Sequence, residues 1–117
     1  MAKNFLQKAE VITVTAPSGG LLSGQGVLIG ALFGVSQFAA AAGASAEIAT
    51  EGAWTLPKAA SPIAFAQGAP VYWDAGAGDV TSVAHLNYAI GVATAAAAAT
   101  DATAAVRLDG VATFAGA

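Results

Sequence analysis

Residues 70–83 read Pro70-Val71-Tyr72-Trp73-Asp74-Ala75-Gly76-Ala77-Gly78-Asp79-Val80-Thr81-Ser82-Val83. Two runs rich in β-branched and aromatic residues flank a segment of Asp, Ala and Gly, residue types suited to a turn. The pattern predicts a β-hairpin over 71–83. Successive strand residues face opposite sides, so of Tyr72 and Trp73 one packs inside and the other faces a neighbour. Tyr and Trp are favoured at protein interfaces, which makes Tyr72 and Trp73 candidate subunit-interface aromatics.

Working outward, Val11-Ile12-Thr13-Val14-Thr15 is β-branched throughout and reads as a strand, ended by Pro17-Ser18-Gly19-Gly20. Ser23-Gly24-Gln25-Gly26 is a second turn. Val27-Leu28-Ile29 is a short strand, Gly30 marks a bulge or a close backbone approach, and Leu32-Phe33-Gly34-Val35 continues extended. Residues 39–44 form a loop or a single turn. Residues 46–50 and 52–56 are strands, with Trp54 and Leu56 on one face and Pro57 closing the second. Ser61-Pro62 is a helix start, Ser as cap and Pro at the first helical position, giving a short helix over 61–67 stopped by Gly68. Further strands fall at 88–93 and 106–108, with a loop around 97–101 between them. Many short strands at this spacing indicate an all-β barrel or sandwich. Residues 1–10 are polar around Phe5 and Leu6 and read as an N-terminal arm; 11–117 is a single β domain.

Charged residues make up 9% of the 117, with a net charge of −3, against roughly 25% charged in an ordinary soluble domain. The chain holds 33 Ala and 14 Gly, side chains that bury little area at about 25 cal/mol per Å². The larger apolar residues must therefore supply the core, and few charges remain to coat the outside. A neutral exterior of this kind marks a protein that works against other subunits. Four scattered cations form no phosphate-neutralising patch, so no direct nucleic-acid partner is expected. No cysteine is present, which excludes a disulfide scaffold.

Catalytic and cofactor motifs fail one by one. Gly24-Gln25-Gly26 with Gly30 misses the dinucleotide spacing, and no Gly-Lys pair exists for an ATP-binding loop. His85 is the lone histidine; nearby Ser82, Asp79 and Asp74 are close in sequence, which is not the scaffolded geometry a triad needs. One His without Cys is a poor zinc site. Asp74, Asp79, Asp101 and Asp109 sit in turn-like sequence, and turn chemistry accounts for them. No enzyme, cofactor or metal site is expected. An alternative use for the chain is membrane insertion: Val27–Ala46 is 20 uncharged residues, long enough to span a bilayer, although Gly30, Gly34 and Gly43 interrupt it and no cation flanks it closely.

Seven segments occur in order: Met1-Ala2-Lys3-Asn4-Phe5, Ser23-Gly24-Gln25-Gly26-Val27-Leu28-Ile29-Gly30, Leu32-Phe33-Gly34-Val35, Leu56-Pro57-Lys58, Gly68-Ala69-Pro70-Val71-Tyr72-Trp73-Asp74, Ile90-Gly91-Val92-Ala93 and Val106-Arg107-Leu108. Together they resemble a family of small tailed-phage and prophage proteins, once labelled RecA/RadA-type recombinases and now regarded as capsid cement, or decoration, proteins. The missing ATP-binding loop argues against the older label. The resemblance implies a compact β-barrel or β-tulip-like domain made in the bacterial host cytoplasm and seated on the outer surface of the virion capsid. There it would bind the major capsid protein and stabilise the head against internal DNA pressure. It also implies a homo-oligomer, most often a trimer, and an N-terminal segment that reaches a capsid subunit. Phe5 and Leu6 are apolar within a segment otherwise too polar for a core, so Lys3, Asn4, Phe5 and Leu6 are the expected capsid contacts.

Overall fold

The computed structural model describes residues 11–116. Nine strands run through them: β1 (Val11–Thr15), β2 (Gly26–Ile29), β3 (Leu32–Ser36), β4 (Ser45–Ala49), β5 (Glu51–Pro57), β6 (Pro70–Asp74), β7 (Asp79–Thr81), β8 (Tyr88–Ala93) and β9 (Thr103–Asp109). All pairings between named strands are antiparallel, in a four-stranded sheet ordered β1-β4-β3-β2 and a five-stranded sheet ordered β5-β9-β8-β6-β7. The larger sheet curls until its first and last strands meet, where Lys58 bridges Val80 and the Ala59 N–H donates to the Val80 carbonyl at 2.8 Å. The fold is all-β, a half-barrel closed at one corner with a second sheet laid on it.

The β6–β7 hairpin forms where the turn residues require it. The Gly78 N–H donates to the Asp74 carbonyl at 2.7 Å, with φ of 73° at Gly78, and the Asp74 carboxylate accepts from the Gly76 and Ala77 N–H groups at 3.0 and 3.1 Å. Trp73 is the inward member of the aromatic pair, 5% exposed, while Tyr72 keeps part of its surface.

Most of the core lies inside the curled sheet, where Leu56, Val71, Trp73, Val80, Ile90, Val106 and Leu108 meet Phe33 and Val35 from the smaller sheet. A lesser cluster on the other side of the smaller sheet gathers Val27, Ala46 and Ile48 under Ala16 and Leu21. Fully burying each larger side chain stabilises by about 1.5–3 kcal/mol, so a few Val, Leu, Ile and aromatic residues carry a chain whose commonest residue is Ala.

Three expectations are corrected. Residues 61–67 are not helical; among the described residues there is no helix. The segment is too short to hold a helix unaided, and the backbone of Phe65 is claimed instead by Ala97, with two hydrogen bonds of 2.9 Å that seat its ring in the core. Gly30 marks neither a bulge nor a close approach. Ile29 pairs with Leu32 across Gly30-Ala31, φ at Gly30 is 60°, and an added Cβ would meet nothing within 4 Å. It is the first central residue of a two-residue hairpin turn, the position that favours Gly. Finally, Val27–Ala46 is divided between β2, β3, a loop and the start of β4, so it is not a helical span. No helix among the described residues is long and apolar enough to cross a membrane.

Candidate functional site

Asp101 accepts from the Ala98 N–H at 2.8 Å and Asp109 from the Val111 N–H at 3.1 Å, so with Asp74 these acids hold turns, as the sequence implies. Asp79 differs: its Oδ1 is buried without a hydrogen-bond partner. Burial pushes this carboxyl above its ordinary value, the Asp74 carboxylate paired across the hairpin pushes it further, and Lys58 pulls it back. His85 sits exposed in a loop whose backbone bridges Gly116. Among the described residues no group of three His, Cys, Asp or Glu is placed to hold a metal ion.

Lys58 is the residue that sequence reading missed. It is 6% exposed, and its ammonium donates to the carbonyls of Ala59 at 2.8 Å, Ile63 at 2.6 Å and Ala99 at 3.1 Å. All three of its donors are used. It thus ties the end of β5 to the 59–63 segment and the 97–101 loop, and no local pattern around Leu56-Pro57-Lys58 signals this.

With Lys58 inside, Arg107 is the exposed Lys or Arg among the described residues. It lies on the outer face of the five-stranded sheet, level with Ala53 on β5 and Val92 on β8. Thr55, Ala105 and Pro57 continue that face along β5 and β9, and Pro70 and Tyr72 extend it along β6. The face is small-chained and uncharged around Thr55, Ala105 and Tyr72, while Glu51 and Asp109, paired with each other, place two exposed carboxylates on the same side, two residues along from Ala53 and Arg107. Tyr72 belongs to this face; Trp73 lies beneath it. Lys3, Asn4, Phe5 and Leu6 lie outside the described residues.

Two further features lie away from that face. A groove of about 690 Å³ opens between residues 18–25 and 39–41. A smaller one of about 230 Å³ opens beside Trp54, lined also by Val11, Gln37 and Ala49. Leu22, Phe38, Leu86, Val111 and Phe114 are large apolar side chains left well exposed. Nothing in their local sequence distinguishes them from core residues.

A family model described as phage cement protein matches residues 6–108, nearly the whole chain. No curated protein and no solved structure matches it.

Proposed function

The chain belongs to the phage cement protein family, and from that premise we propose that it binds the outer surface of a phage head between major capsid protein subunits and holds them against the pressure of packaged DNA. The family carries a structural role in the virion capsid. The single observation in this chain that supports the finer reading is the small-chained outer face of the five-stranded sheet, where Ala, Thr, Pro and Val surround Arg107 and the Glu51–Asp109 pair lies at one end. The uncharged part of this face loses little by leaving water. Arg and Tyr are favoured where interfaces are buried, and Arg107 and Tyr72 are the polar anchors it offers.

The mechanism is additive. A standard protein interface buries about 1,600 Å² in total. A subunit seated across a joint adds its own buried area to the area that must be exposed when the joint opens. Copies joined to one another act together, since release of one leaves it at high effective concentration beside its site. On this reading the working unit is a homotrimer. Residues 1–10, through Lys3, Asn4, Phe5 and Leu6, lie along or add a strand to a capsid subunit, a mode that draws affinity from backbone hydrogen bonds and specificity from alternate side-chain pockets.

The test is to add purified protein to heads that lack it and to image both by electron microscopy. New density on the outer surface at joints between subunits is expected. Deleting residues 2–9 should lower occupancy while leaving the strand-rich circular dichroism spectrum unchanged; undiminished occupancy overturns the role given to the arm.

A further inference from the structure

Residues 1–10 lead directly into Val11, the first residue of β1, and Val11 lines the smaller of the two grooves. Val11 pairs with Ala49 at the end of β4, and Ala49 and Gln37 join it in the lining. The rest of the lining is Glu51, Gly52 and Trp54, from the start of β5. The Trp54 indole is fixed there, its N–H donating to the Glu51 carbonyl at 3.0 Å. Gly52 permits this fold-back: its φ is 101°, and an added Cβ would lie 3.2 Å from the indole nitrogen. Trp54 packs against the core on one side and leaves the other to the groove. Val11 is 39% exposed. An indole, a Val and an Ala therefore share a concave site open to water at the point where the arm leaves the domain.

Size, reach and charge all favour that arm as the occupant. The groove measures about 230 Å³, and a closed apolar cavity of about 150 Å³ holds a benzene ring, so one Phe ring fits. Phe5 is the arm's aromatic residue, and aromatic pairs gain from contact beyond the area they bury. Residues 7–10 are enough to turn the chain back from Val11, since hairpin loops take about two to five residues. The arm also holds Lys3 and Lys8, two of the chain's four cations, whereas six of its seven acids lie beyond residue 10. Glu51 and Asp109, both exposed, face each other across β5 and β9. Like charges so placed repel, and a cation beside them relieves this. Lys8 precedes Val11 by three residues, about 10 Å at most at 3.3 Å per residue, which brings it to Glu51 at the groove.

We propose that residues 1–10 fold back on their own domain, with the Phe5 ring in the groove against Trp54 and Lys8 beside the Glu51–Asp109 pair. The ring carries the contact, because an exposed ion pair contributes little. Successive residues of an extended chain face opposite sides, so Leu6 points away from the groove. The free protein thus keeps its arm on its own body, and a capsid subunit must draw Phe5 out in order to bind it. Only this last step rests on the cement reading.

Acrylamide quenching of tryptophan emission tests the docking on the purified full chain. Trp73 is buried, so the quenchable signal comes from Trp54. Phe5→Ser, or deletion of residues 2–9, should raise that quenching by roughly twofold and move the emission to longer wavelength, because the ring covering the indole is gone. The circular dichroism spectrum should not change. Leu6→Ser should leave quenching as in the parent, and Trp54→Phe should abolish the difference that Phe5→Ser makes. Equal quenching in the parent and the Phe5→Ser chain overturns the proposal, as does a Leu6→Ser chain quenched as strongly as Phe5→Ser. A difference that disappears on dilution places the arm of a neighbouring copy in the groove and overturns it too. No heads are present in this experiment, so arm docking and head binding succeed or fail separately.

Discussion

The rings of Phe33 on β3 and Trp73 on β6 meet with centroids 4.9 Å apart at an angle of 54°. This contact joins the smaller sheet to the curled one. Gly26 on β2 leaves room for it, since an added Cβ there would lie 2.8 Å from the Trp73 ring. Tilted aromatic pairs contribute about 0.5–1.5 kcal/mol beyond their buried area. Removing Trp73 also opens a cavity between the layers. Trp73→Ala should lose about 3–5 kcal/mol, a large part of a typical total of about 5–15 kcal/mol. Urea unfolding followed by circular dichroism measures this. Tyr72→Ala, on the outer face, should stay within about 0.5 kcal/mol.

Gly91 illustrates a different constraint. The partner register of β6 and β8 shifts between Val71 and Tyr72, leaving Ile90 as the extra residue, and the bulge brings Gly91 against β9. A Cβ at Gly91 would run into the Arg107 carbonyl, which is backbone and cannot swing away. Gly91→Ala should therefore cost about 3 kcal/mol or more, the upper end of overpacking. Gly24→Ala faces open space at φ of 80° and should cost about 1–2 kcal/mol, the left-handed penalty alone. Thermal unfolding of the two variants should rank them in that order.

Lys58→Met keeps the stem of the side chain and removes its ammonium. The Ala59, Ile63 and Ala99 carbonyls then lose their shared donor. Each buried group left unsatisfied costs about 1–3 kcal/mol, so chemical denaturation should show a loss of at least that size. Hydrogen exchange should rise first in residues 59–63 and 97–101. Arg107→Met, on the open face, should leave stability almost unchanged.

Asp79 sets a pH dependence of opposite sign to an ordinary paired carboxylate. Burial and then Asp74 raise its folded-state value, more than Lys58 lowers it. The folded chain thus holds this proton more tightly than the unfolded chain, and the Asp79 contribution to stability falls as pH rises from the ordinary carboxylate range through the folded value. Asp79→Asn should be more stable than the parent at neutral pH, with the difference vanishing below the ordinary value of 3.8. Unfolding midpoints of both proteins across pH 3–8 read this directly; a difference that widens on acidification contradicts the assignment.

Legibility in the sequence followed the range of the forces involved. Val11–Thr15 and Tyr88–Ala93 were readable because β-branched and alternating residues act locally, and both strands fall on those bounds. The hairpin at 71–83 was readable from its turn residues. The helix expected at 61–67 failed because its local start competes with a long-range demand, the pairing of Phe65 with Ala97. The fate of Tyr72 and Trp73 was half readable: alternation puts them on opposite faces, but which one is covered depends on Phe33, far away in the chain. Lys58 was invisible for the same reason, since Ala99, 41 residues on, supplies one of its acceptors. Leu86 and Phe114 were unreadable because a local pattern cannot say that a large apolar residue is left in water.

Bound at the joints between capsid subunits, the protein should make a phage head harder to open. Heads lacking it, with and without the purified protein added back, can be heated while DNA release is followed with an intercalating dye. Full occupancy should raise the release temperature, and a Tyr72→Ala, Arg107→Ala double variant should restore part of the difference by binding less. Release at the same temperature from bare and fully occupied heads would contradict the account.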